Sequence, residues 1–129
     1  MRNTLEKQTL ETPRLILRQW RESDVAPFAE MNADRKVMQY FPETLSHEES
    51  THLVERYQQH FDEYGFGLWA VEVKDQAEFV GFIGLAVPQF TAYFTPCVEI
   101  CWRLAAPYWN QGIATEGAQA TLDFGFNHC

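Results

Sequence analysis

Residues 99–117 read Glu99-Ile100-Cys101-Trp102-Arg103-Leu104-Ala105-Ala106-Pro107-Tyr108-Trp109-Asn110-Gln111-Gly112-Ile113-Ala114-Thr115-Glu116-Gly117. The stretch predicts a strand, Cys97 to Leu104, then a tight loop and a helix that starts near Ala114 or Thr115 and runs to about Phe126. Gly112 permits a backbone conformation or a close approach that a side chain would block, and Ala114 is small for the same reason. The amides of residues 111–115 would then point out of a helix start, where the helix dipole also favours an anion. Such a place can cradle a pyrophosphate, although an ordinary turn before a helix carries the same pattern.

Working outward, Phe79 to Val87 is apolar on both faces and reads as a central strand. Gly67 to Val73 reads as another, with Leu68, Ala70 and Glu72 on one face and Trp69, Val71 and Val73 on the other; Lys74 to Glu78 is the polar turn between them. Short links let these three strands pair as an antiparallel meander. Pro88 opens a loop containing Tyr93, Phe94 and Pro96. Upstream, Ser46 followed by Glu49 is a capping-box pattern, and Leu53, Val54, Tyr57, Phe61 and Tyr64 recur at helical spacing up to a stop at Gly65. A shorter helix runs from a cap at Ser23 or Asp24 to about Asn32, with Pro27 tolerated in its first turn. A first strand spans Arg14 to Arg21. Small residues at Gly117 and Gly125 suit a helix lying close on a sheet. The fold class that follows is α+β, a layered sheet with flanking helices.

The 129 residues suit one domain, and 46% hydrophobic with 15% aromatic residues are enough for a packed core. A net charge of −8 opposes sequence-independent binding to nucleic acid or an anionic membrane, so an anionic ligand must be held locally. It would suit a cationic amine or peptide. The three cysteines exclude a paired disulfide framework, and Cys97 and Cys101, roughly 13 Å apart along a strand, cannot bridge. No apolar leader or span opens the chain, which leaves the cytoplasm as the expected location.

The segment Tyr108-Trp109-Asn110-Gln111-Gly112-Ile113-Ala114-Thr115-Glu116 resembles the acetyl-CoA-binding motif of the GNAT acetyltransferase superfamily, in its branch of ribosomal-protein N-terminal acetyltransferases. Thr12 to Arg18, Gly67 to Val71 and Val80 to Gly84 resemble the same branch, in the same order. The resemblance implies a mostly antiparallel GNAT sheet, acetyl-CoA as cosubstrate without a metal, and a primary amine as acceptor. It places acetyl-CoA against Trp102, Leu104, Asn110, Gln111, Gly112, Ile113, Ala114 and Thr115. Trp102 and Leu104 would act through backbone groups, and an amide near Ile100 to Trp102 would face the developing oxyanion. Trp109 stands where the superfamily more often has Arg or Gln.

The family continues with a strand, a helix and two more strands; the expectation here is a single domain, 1–129, lacking them, with no Tyr assignable as general acid. A non-catalytic module that binds acyl-CoA or a protein partner is the alternative. An uncovered strand edge at Cys97 to Leu104 would invite a second copy.

Glu99 lies on the strand face of Cys101 and Arg103. It could take a proton from the acceptor ammonium directly or through water, or equally form an ion pair with Arg103 or with another strand. His52 and His60 lie on one helical face about 12 Å apart, too far for one metal ion, and read as a solvated polar face. Cys101, with no cation nearby in sequence, reads as a buried inert thiol. Trp69, Tyr40 and Phe41 are candidates for the acceptor pocket or for the core.

Overall fold

The computed structural model describes residues 8–87 and 98–128, the side chains of 126–128 excepted. The predicted loop at Tyr93 to Pro96 and the start of the strand at Cys97 lie outside them. Five strands, β1 (Leu10–Glu11), β2 (Leu15–Arg18), β3 (Leu68–Val73), β4 (Ala77–Ala86) and β5 (Glu99–Leu104), form one sheet. They neighbour one another in chain order and every pairing is antiparallel, so the meander extends to β1, which the pattern of the sequence does not reveal.

Helices α1 (Val25–Asn32) and α2 (His47–Tyr64) cover one face, and α3 (Ile113–His128) covers the other. The alternation in β3 decides which residues go where. Leu68 and Ala70 pack with Phe28, Met31 and Val54 from α1 and α2. Trp69, Val71 and Val73 pack with Ile113 and Phe124 of α3, and Phe61 from the end of α2 reaches this second cluster. Trp69 is fully buried between the rings of Phe61 and Phe124, at 5.2 and 5.3 Å, so it belongs to the core and not to an acceptor pocket.

Local chemistry sets the ends of α2 as read. The Ser46 hydroxyl accepts from the Glu49 amide, Glu49 accepts from the Ser46 amide, and Gly65 closes the helix in the left-handed region. Before α1, Asp24 turns away from the cap: its carboxylate takes two bonds of 2.9 Å from the buried guanidinium of Arg18 and one of 2.8 Å from the Arg21 amide. Helix α3 lies so near the sheet that a Cβ at Gly117 would sit 2.3 Å from Ile83 Cδ1.

His60 departs from the reading of a solvated face. Its Nε2 accepts the Val87 amide at 3.0 Å, which leaves the proton on Nδ1 to donate to the Phe66 carbonyl at 2.7 Å. The ring therefore ties α2 to the start of β3 and the end of β4. His52 does lie at the surface, 3.4 Å from Glu55.

Candidate functional site

Strand β5 is the edge of the described sheet, and two grooves open on either side of it. The Ala105 amide donates to the Val80 carbonyl, which fixes the parity of the β4–β5 ladder. Because antiparallel pairs alternate, the backbone groups of Glu99, Cys101 and Arg103 point at β4, and those of Ile100, Trp102 and Leu104 point at the open edge. β5 pairs with β4 along all six of its residues, and the alternation alone leaves the backbone groups of Trp102 and Leu104 at the open edge. The Leu104 carbonyl is already used: it accepts the Trp109 indole N–H at 2.7 Å.

A single 3-10 turn, Ala106–Tyr108, with Pro107 in its first positions, leads out of β5. Asn110 then takes φ +61° and Gly112 φ +78°, and these two left-handed residues turn the chain into α3. At Gly112 a side chain would be strained and would meet the Arg14 guanidinium at 3.3 Å. The first intrahelical bond of α3 runs from the Glu116 amide to the Gly112 carbonyl, so the amides of Ile113, Ala114 and Thr115 have no partner within the helix. They border a groove of about 320 Å³ lined by Trp102, Leu104, Tyr108, Trp109, Asn110 and residues 112–115. Eight residues were expected to meet acetyl-CoA; the structure brings seven of them to this groove, and Gln111 turns aside to bond the Pro107 carbonyl through Nε2.

Sequence reading missed what holds this loop. Arg14 donates through Nη1 to the Gln111 carbonyl at 2.8 Å and through Nε to Glu116 at 2.7 Å. The other Glu116 oxygen accepts from the Arg14 amide at 3.0 Å and from the Thr12 hydroxyl. Burial works against the Glu116 charge, but the bonds from Thr12 and Arg14 outweigh it and hold the carboxyl below its ordinary range. The Thr12-Pro13-Arg14 and Ala114-Thr115-Glu116 motifs are thus two halves of one clamp.

The second groove, about 670 Å³, lies on the α1/α2 side and shares Trp102, Leu104 and Trp109 with the first. Tyr40 and Phe41, both exposed, line it, as does Tyr57. Tyr57 reads from sequence only as part of the apolar stripe of α2. Burial raises its phenol pKa, so it faces the groove as a neutral donor. Cys101 also lines this groove, and burial first, then the Glu99 charge, pushes its thiol up, which fits an inert group.

Glu99 is exposed at the far end of β5 and lines neither groove. It forms no ion pair with Arg103, whose Nη1 donates instead to Asn32 Oδ1 at 2.8 Å. Among the described residues no cluster of three His, Cys, Asp or Glu could hold a metal, and no helix is long and apolar enough to cross a membrane.

Comparison with known proteins agrees with this geometry. The protein YkkB of Bacillus subtilis is 35% identical over 122 residues, 94% of this chain and 70% of YkkB. The N-acetyltransferase YoaA of the same organism is 29% identical over 120 residues, 92% of this chain and 66% of YoaA. A GNAT-family acetyltransferase structure from Bacillus anthracis superposes with a TM-score of 0.73 at 26% identity, over 93% of this chain and 67% of that one. The chain thus spans about two thirds of the length of these relatives. The family model of the acetyltransferase (GNAT) domain matches residues 14–129, from the clamp arginine through α3, and the chain belongs to that family.

Proposed function

We propose that the chain catalyses direct transfer of the acetyl group of acetyl-CoA to a primary amine, on a protein N-terminus or a small molecule. The observation that carries this reading is the meeting of the two grooves along β5: a cradle of free helix amides on one side, and an aromatic groove on the other. Acetyl-CoA supplies an activated acyl carbon. In the transfer an N–C bond forms, the C–S bond breaks, the sulfur leaves with the electron pair, and a proton from the amine passes to solvent or a base.

The chain's own residues orient and polarise. The amides of residues 113–115 hold the pyrophosphate, and Gly112 gives it access. The Trp102 amide, directed at the open edge, faces the oxygen on which charge develops. Holding both reactants along one strand removes most of the orientational part of the barrier. Glu99, on the acceptor face, is the proposed proton acceptor, acting through water across the distance from the groove. The ribosomal-protein branch is supported by the Thr12 to Arg18 and Tyr108 to Glu116 motifs, and the non-catalytic alternative gains nothing from the comparisons.

Thermal unfolding with acetyl-CoA tests the reading. Ligand at one hundred times its dissociation constant adds about 2.7 kcal/mol, and the same protein should release free thiol only when an amine is present. No stabilisation at millimolar acetyl-CoA would overturn the cradle.

A further inference from the structure

Arg103 is the one charged residue among the described residues that line the aromatic groove. Its guanidinium is half-buried, with the rings of Phe41 and Phe82 at 5.0 and 5.2 Å. Its orientation is fixed from below: Nη1 reaches Asn32 Oδ1, Asn32 is fully buried, and Asn32 Nδ2 donates to Ser50 Oγ at 3.0 Å. Among the described residues no carboxylate forms an ion pair with it. Residues 88–97, the stretch between β4 and β5 outside the described structure, contain no Asp or Glu.

Burial of a cation without a counter-ion is unfavourable, and it lowers the Arg103 pKa. Two other arginines are treated differently. Arg18, also buried, faces both Asp24 and Glu72, and Arg14 faces Glu116. A guanidinium carries five N–H donors in a planar fork suited to a carboxylate, and Asn32 is the one acceptor that Arg103 is given among the described residues.

We propose that Arg103 anchors a carboxylate of the acceptor, so that the substrate is a small amine bearing its own carboxylate, of the α-amino acid type. This rests on the acetyl-transfer reading above. One guanidinium in an otherwise uncharged groove matches a monoanion, and the aromatic walls suit an apolar body. Arg103 stands between Trp102 and Leu104 on β5, at about 3.3 Å per residue. The groove that holds the fork shares Trp102, Leu104 and Trp109 with the one where the thioester is proposed to lie, so an amine attached to a carboxylate on Arg103 stays in the groove that adjoins it. The bulk negative charge of the protein does not decide the substrate; the local cation does.

Two measurements test this. The Nε–H resonance of Arg103, assigned by its loss in R103Q, should shift on titration with amino acids of apolar side chain in the absence of acetyl-CoA, and stay in place with the matching primary amides. With acetyl-CoA present, phenylalanine, leucine and the remaining amino acids are each compared with the amide and the decarboxylated amine. At least one amino acid should exceed both analogues tenfold in kcat/KM, and R103Q should erase that ratio through KM. An amide or bare amine used as well as every amino acid, or a ratio that survives R103Q, overturns the proposal. An Arg103 resonance that no carboxylate moves overturns it too. Failure of the acetyl-transfer reading shows separately, as absent acetyl-CoA binding in calorimetry without any acceptor.

Discussion

Replacing Glu116 by Gln keeps the shape of the clamp and removes its charge. The carboxylate accepts from the Thr12 hydroxyl, the Arg14 amide and Arg14 Nε. An amide offers one oxygen and must turn an NH₂ toward the remaining donors. Charge-assisted bonds contribute roughly 1.5–3 kcal/mol each and neutral ones about 1 kcal/mol. The Arg14 side chain is 45% exposed and that of Glu116 20%, so solvent screening leaves the ion pair itself below about 1 kcal/mol. The net loss in E116Q should be about 1–2 kcal/mol, or about 4–8 °C in Tm for a chain of this size.

The pH dependence of this loss follows from the direction of the shift. The Glu116 carboxyl titrates lower in the folded chain than in the unfolded one, where about 4.3 is expected. Its contribution is therefore full above that unfolded value and declines as the pH falls through the folded one. The gap between wild type and E116Q, followed by circular dichroism melting, should be constant from pH 6 to 8 and close in acid. Because Arg14 also holds the Gln111 carbonyl, acetyl-CoA affinity should fall about tenfold, near 1.4 kcal/mol. Equal melting at pH 7, or a gap that widens in acid, would refute the clamp.

Three further outcomes can be checked. Gly112→Asp places charge and bulk at φ +78° beside the cradle and should abolish acetyl-CoA binding in calorimetry while the far-ultraviolet spectrum remains that of a folded protein; unchanged affinity would remove the pyrophosphate from this loop. Glu99→Gln should lower turnover tenfold or more with acetyl-CoA affinity intact, whereas equal rates across pH 6 to 9 would return Glu99 to a surface role. The outward amides of β5 should let a second copy of the 129-residue chain pair along that edge, so light scattering should show a dimer that dissociates when Ile100 is replaced by Pro; a monomer at high micromolar concentration would defeat this.

What the sequence revealed depended on how local the signal was. Helix α2 was legible because Ser46, Glu49 and Gly65 carry its ends within a few residues, and the faces of β3 followed from strict alternation. Strand β1, two residues long, has no periodicity to detect. The clamp joins residues 102 apart: each half was visible as a motif, but nothing local says that they touch. His60 sits on an exposed-looking helical face, and its partners come from a strand start and a strand end. For the same reason Arg103 suggested an ion pair with its neighbour on the strand, while its real partner, Asn32, lies 71 positions away.

The six residues of β5 carry three separate tasks because a strand alternates in two ways at once. Side chains at 99, 101 and 103 face the side of α1 and α2, while Ile100 and Leu104 pack toward α3 and the backbone groups of 100, 102 and 104 open to the edge. Shifting the register by one residue would exchange all three sets together, turning Arg103 out of its groove and the Trp102 amide into the sheet. The register is held from outside the ladder. Ala105 bonds Val80 beyond the last pair, Trp109 bonds the Leu104 carbonyl from the loop, and Arg103 bonds Asn32 from the helical layer. Two of these contacts, Trp109 with Leu104 and Arg103 with Asn32, involve residues that line the grooves, so under the proposed function a mutation that loosens either should impair substrate binding along β5.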